Sequence, residues 1–463
     1  MMRHVRWSIP LLVAASGCKP SDVLSVPPPA GVIGTGTLEN ASGAESALNG
    51  ARARLFGAVA GWNKLLQWTG VLTDEDTWTA YTTQPVFGHF DARVTTSGAG
   101  SDESGDAAIE GLAAARVSLV TAAALLEHAE PASGRPKIGE AYALMGFAEL
   151  FMAEDYCAGV PLSEVVPGGG ISYGMPLSTD SLLGVAEHHF DTALVFAGPS
   201  DVAGQLAAIG LGRTRLDRGN YAGAVNAVGR VPVAFVYNTE LDGSFDDNTG
   251  AGINLYAFQG PNALRCGWMN VGDREGGNGE NFASAGDARL VIDSTFESTC
   301  DGAPWRYPVK FGMPTQTTIP MATGVEARLI EAEGALHAGQ IATWAASLNA
   351  LRDSAPGTYL GIAAPMDSLT SDSTSGASAS MRIDVMFRER AFWLFGTGTR
   401  LGDLRRLVRQ YHRDQSAVFP SGAYAGGGGF TQYGTDVSLP LPTGAGTVPN
   451  TNPNYKGCLN HAA

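Results

Sequence analysis

The chain has 463 residues, 30 Lys+Arg against 45 Asp+Glu, and a formal charge of −15. Charged residues make up only 16% and hydrophobic residues 44%, so there is material for a large core beneath a weakly charged surface. The excess of carboxylates, with no run of Lys or Arg, excludes nucleic acid and electrostatic adhesion to anionic lipid as partners, and the apolar content excludes a wholly disordered chain.

The N-terminus reads as an export signal. Arg3 and Arg6 precede the apolar run Ile9–Ala15, and Ala15-Ser16-Gly17-Cys18 follows it. The run is too short to span a hydrocarbon core of roughly 30 Å. The four-residue ending has the form of a bacterial lipobox, with Ala15 where Leu is usual, which makes Cys18 the expected lipidated first residue of the mature chain. Residues 19–37, with Pro27-Pro28-Pro29, read as an extended tether. No later run reaches the roughly 18 consecutive apolar residues of a membrane span.

Helical patterns follow in order over 41–60, 105–128, 136–156 and 179–196. Residues 201–229 read as a helical hairpin broken at Arg218-Gly219-Asn220, and 325–353 as a second, broken at Ala338-Gly339-Gln340. Counted from the glycine, Tyr221, Ala224 and Val228 stand at the offsets of Ile341, Trp344 and Leu348. That register, with Gly closing the first helix, is similar to a tetratricopeptide unit. Residues 382–412 form a last helical region interrupted near Gly396-Thr397-Gly398. Residues 231–320 and 413–458 carry no lasting helical period and read as loop-rich, with short strands.

Besides Cys18, an exported chain would hold Cys157, Cys266, Cys300 and Cys458, which allow three pairings. The loop-rich segment between Cys266 and Cys300 favours 266–300 with 157–458; the sequence leaves the map open. No CxxC pair supports zinc. There is no P-loop, no HExxH and no GxSxG elbow, and Gly168–Gly170 and Gly426–Gly429 lack the strand–helix frame of a dinucleotide site. Glu187-His188-His189 suits a solvated helix face better than a metal. Asp74-Glu75-Asp76 reads either as a ligand-contact loop or as an acidic cluster at a helix N-terminus.

Four blocks then converge: the lipobox with tether and Asn40–Phe56; Ala141–Met145 running to Tyr156 and Gly159–Leu162; Val325–Glu333 before the Gly339 hairpin; and Arg388–Arg406. Together with the tail Pro440–Pro442 and Asn450–Tyr455, they resemble the SusD/RagB family of outer-membrane nutrient-binding lipoproteins over nearly the whole chain. Glu389, Arg390, Gly398, Arg400 and Asp403 match the family pattern; Trp393 and Thr397 stand where it usually has Glu. The residue types suggest that Arg390, Arg400 and Arg406 pair with Glu331 and Glu333, with Asp403 accepting from a nearby Arg, as a structural network.

The resemblance implies a mainly α fold, SusD-like, with tetratricopeptide-like helix pairs as scaffold and loop-rich, partly β insertions. It divides the chain into a signal peptide (1–17), a lipid-anchored tether (18–39), an N-terminal helical part (40–230), a loop-rich insertion (231–320) and a C-terminal helical part with its tail (321–463). It further implies an outer-membrane, outward-facing location and a TonB-dependent (SusC-like) receptor as partner. The ligand would be an oligosaccharide or peptide, with no cofactor and no catalytic residue.

Sugars are gripped by flat aromatic platforms and polar side chains. The stretch Gln67–Phe90 offers Trp68, Trp78, Tyr81 and Phe87 interleaved with Asp74, Asp76 and Gln84 as candidate ligand contacts. Trp305 and Tyr307 beside Arg306, and Tyr424, Phe430 and Tyr433 around Gly426–Gly429, are further candidates. Trp344 and Trp393 lie in helical patterns and read as packing residues. Two other classes stay open: a tetratricopeptide adaptor of the cell envelope that binds only proteins, and a surface glycoside hydrolase, which needs two carboxylates roughly 5–9.5 Å apart in a cleft.

Overall fold

The computed structural model describes residues 38–61, 63–81, 88–95, 101–166, 170–241, 267–294, 299–311, 318–354, 365–442 and 452–463. Cys18, Gln84, Phe87 and Cys266 lie outside them.

The chain is mainly α. Helix α1 (Ala41–Ala60) starts where the Asn40 side chain accepts the Gly43 N–H, and it buries Leu48, Ala51, Leu55 and Val59 on one face. Then come α2 (Leu65–Leu72), the single turn α3 (Gly88–Asp91), α4 (Ser101–Ala129), α5 (Arg135–Asp155), α6 (Thr179–Phe196), α7 (Val202–Asp217) and α8 (Tyr221–Val228). The C-terminal part supplies α9 (Gly324–His337), α10 (Ile341–Ser354), α11 (Ala379–Trp393), α12 (Arg400–Arg409) and the short α13 (Gln415–Val418). The expected helices and both hairpins are present; α2 is an addition, inside a stretch whose mixture of aromatic and polar residues carries no helical period.

α4 packs on α1 and α5, α5 on α6 and α7, α7 on α8, α8 on α9, and α9 on α10 and α11. Helix α5 sits at the centre and is buried on all sides from Ala143 to Asp155. Residues Ala108–Ala129 of α4 are long and apolar enough to cross a bilayer by composition. Leu112, Ala115, Leu119, Ala122 and Leu126 are buried in the core instead.

Both hairpins turn on a left-handed glycine, Gly219 at φ 73° and Gly339 at φ 71°. Although 120 positions apart in sequence, the hairpins stack directly: Tyr221 lies flat on His337 with ring centroids 3.7 Å apart. Strand β4 (Val236–Glu240), just after the first hairpin, pairs antiparallel with β8 (Thr318–Thr323), just before the second. This ladder closes the base of the loop-rich insertion and lets the two units meet.

The other described strands are short: β1 (Asp76–Trp78) with β5 (Met269–Val271), β2 (Glu164–Val166) with β3 (Gly170–Ser172), and β6 (Ile292–Asp293) with β7 (Tyr307–Pro308). Every residue of β2 and β3 is exposed. Val165 and Ile171 face each other across the ladder at 62% and 54% exposure. Cys157 and Cys458 form a disulfide that ties the end of α5 to the C-terminal tail. Cys300 is also disulfide-bonded.

Candidate functional site

The first candidate stretch folds inward rather than outward. Trp68 on α2 is fully buried against Phe90, with centroids 4.7 Å apart. Trp78 on β1 is 2% exposed, and Trp305 and Tyr307 are equally enclosed; the Trp305 Nε1 donates to the Met269 carbonyl at 3.1 Å. Asp74 is sealed as well, accepting two 2.7 Å bonds from the Arg400 guanidinium and one from the Glu280 N–H. Burial alone would raise its carboxyl; Arg400 holds it below the ordinary value. Asp76 is 1% exposed. These six residues are core, which corrects the reading of them as an exposed platform. A short buried helix and a strand that pairs with β5 turn the side chains inward, where ring burial gains most.

The ion-pair network is corrected in two places. Arg406 binds Glu333, Asp403 at 2.7 Å and Asp217 at 3.4 Å, and the Arg390 Nε donates to Asp403 at 2.7 Å. Arg400, however, goes to Asp74 and not to the second hairpin, while Glu331 pairs with Arg328 on its own helix. The Trp393 departure has a physical account. Its ring lies 5.4 Å from the Arg289 guanidinium, which takes its carboxylates from Asp287 and Glu389. Thr397 donates its hydroxyl to the Leu394 carbonyl.

What reaches the surface is a group around Tyr81 and Tyr433. Tyr81 follows β1; its N–H donates to exposed Asp301 at 2.8 Å and its hydroxyl to Asp91 at 2.7 Å. Asp91, at the end of α3, also receives the Trp78 N–H at 2.8 Å and the Tyr424 hydroxyl at 3.0 Å, all on one oxygen. The Tyr81 and Tyr424 hydroxyls touch each other. Burial, then the nearby Glu275, push the Asp91 carboxyl up to about 7 against these bonds. The segment 421–433 is a small hairpin closed by the Ala423–Gln432 bridge. It brings Tyr424 edge-on to Tyr433 (4.9 Å) and Phe430 edge-on to His89 (4.9 Å), while the Tyr433 hydroxyl donates to Glu275 at 3.0 Å. Half-buried Trp268 stands edge-on to Trp78 at 6.1 Å, and its carbonyl accepts the Thr79 N–H.

Gly426, Gly427 and Gly428 lie against the Tyr81 side chain. A Cβ at Gly427 would come within 2.7 Å of Tyr81 Cγ, and one at Gly426 within 2.4 Å of the Tyr81 hydroxyl. Gly428 and Gly429 have φ of 75° and 85°. Only glycine lets the backbone approach so closely and turn this way. Sequence reasoning missed Asp91, His89, Trp268, Glu275 and Asp301. Tyr81 and Tyr433, two of its candidates, meet here through Tyr424.

A second cleft of about 550 Å³ opens between α1, α4 and the tail. Its lining is mixed, with aliphatic side chains such as Ile109, Val117 and Leu441 beside Arg54, Arg116 and the ring of Tyr455. Among the described residues, the one potential metal-ligand group, Cys157, Cys458 and His461, contains the disulfide.

No protein-family profile matches the chain, and no curated protein sequence does. Solved structures do. The chain is similar to a SusD superfamily protein of Bacteroides thetaiotaomicron (TM-score 0.63, 14% identity, 91% of this chain and 100% of that one). It is also similar to a SusD-like carbohydrate-binding protein of Bacteroides vulgatus (0.55, 16%, 79% and 83%) and to a laminarin-binding SusD-like protein (0.58, 15%, 87% and 96%). At these identities the likeness is one of fold, and it spans 83–100% of each partner. The described chain therefore has a SusD-like fold.

Proposed function

We propose that the protein is a lipid-anchored outer-membrane member of the SusD/RagB family that captures an oligosaccharide outside the cell and passes it, unaltered, to a TonB-dependent receptor. The observation that carries this reading is the SusD-like fold itself, shared with structures whose descriptions name carbohydrate and laminarin binding. The Tyr81–Tyr433 group supports it from the chemical side. Half-buried rings provide apolar faces, and half-buried Glu275 and exposed Asp301 provide acceptors for sugar hydroxyls. The lipobox at Cys18 supports the anchor.

The test is a glycan panel of laminarin, starch, xylan and galactomannan, read by calorimetry together with product analysis. Binding of an oligomer without release of shorter sugars is expected. Cleavage would replace the reading with a hydrolase, and silence across glycans alongside capture of peptides would replace the ligand class. Cys18→Ala should move the protein from the membrane fraction to the soluble one.

A further inference from the structure

We propose that the segment Ala425–Gly429 is a flap, and that beneath it lies a subsite for one sugar ring, with the Tyr81 ring as floor and the Tyr81 and Tyr424 hydroxyls with Asp91 as its polar edge. The inference rests on the carbohydrate reading above and adds to it a specific site and a motion.

Three observations carry it. First, the Gly426–Gly428 backbone occupies the place over Tyr81 that a stacked pyranose would take; it lacks side chains and sits within a Cβ's reach of the Tyr81 side chain at all three positions. Second, little fastens it. The Tyr424 N–H to Thr431 carbonyl bond and the Tyr433 N–H to Gly422 carbonyl bond close the base of the hairpin, and among the described residues no hydrogen bond ties 425–430 to the rest of the protein. Four successive glycines gain more backbone freedom on release than any other sequence, and what latches the strap is contact with the Tyr81 and Tyr424 rings and, at its end, of Phe430 with His89, without a hydrogen bond. Third, the covered floor is polar in a way that packing alone does not require: a carboxylate oxygen takes two tyrosine hydroxyls and an N–H at 2.7–3.0 Å. Two hydroxyls and a carboxylate, side by side next to a ring face, suit a vicinal diol of a sugar stacked on that face.

Lifting the strap exposes this floor, and the closed state reduces apparent affinity by the fraction of molecules that are open. Gly427→Ala adds a methyl that cannot fit against Tyr81 and props the strap away. It should tighten binding of whichever panel glycan is bound by about threefold or more. Tyr81→Phe keeps the ring and removes one hydroxyl, and should weaken binding by about three- to tenfold. Melting temperatures of both variants are read alongside. If a glycan binds but Gly427→Ala weakens it while lowering the melting temperature, the strap is a fixed structural cap and the flap is overturned, with the binding function intact. A glycan bound equally by wild type and Tyr81→Phe places the ligand elsewhere and also overturns it. If no glycan in the panel binds, both the subsite and the carbohydrate reading fall.

Discussion

Glu75 is a buried carboxyl with one clear partner, the Gly396 N–H at 3.0 Å. Burial, then the adjacent Asp76, push it from 4.5 to about 8. Its folded value lies above its unfolded one, so between those values the folded chain holds a proton that the unfolded chain has released. Its stabilising effect is therefore full below the unfolded value and is lost as pH rises through 8. Asp155, at about 8, and Asp91, at about 7, act with the same sign. Asp74 and Asp403, which burial would raise but their arginines hold down, act oppositely and fail only in acid. Burial lowers the Lys310 amine to about 7, so its cost is full below 7 and is relieved only above it. The melting temperature should thus fall between pH 5 and pH 7, and Glu75→Gln, which keeps an acceptor for Gly396, should flatten that slope; thermal scans across the range check both. The contact of Asp403 with a nearby arginine was legible beforehand, whereas the partners of Asp74 and Glu75 were not. Asp74 meets Arg400 across 326 positions, and a local acidic triplet reads the same whether it faces water or a guanidinium.

At the scale of elements, α9 and α12 are locked through Glu333, which is fully buried and accepts from Arg406 and from the Tyr411 hydroxyl at 2.7 Å. Glu333→Ala leaves Arg406 short of one of its three carboxylate partners in a dry interior. A loss of about 3 kcal/mol is expected, within the range for breaking a buried pair, measurable by urea denaturation. Helices such as α1 and α6 were legible because an apolar face repeats over 20 and 18 residues. The hairpin turns were legible because glycine alone tolerates their backbone. Helix α2 was not, because eight residues that are all buried show no polar face to set a period. Its neighbours Trp78, Trp305 and Tyr307 were misjudged for the same reason: aromatic density in a polar stretch is common to core and to binding surface, and only the pairing of β1 with β5 decides between them.

For the molecule as a whole, the Cys157–Cys458 bond joins positions 301 apart and holds the C-terminal tail against the central helix. Cys458→Ser should cost about 2–5 kcal/mol, seen as a lower melting temperature that reductant no longer shifts as far. The β2–β3 hairpin has a different consequence. It presents Val165, Ile171, Tyr173 and Met175 at 38–63% exposure, with no charged residue between Glu164 and Asp180 to keep copies apart. A molecule purified alone should therefore be sticky at high concentration, forming reversible clusters that light scattering can follow. Ile171→Lys should disperse them without moving the melting temperature, since a side chain already in water surrenders no packing when it gains a charge.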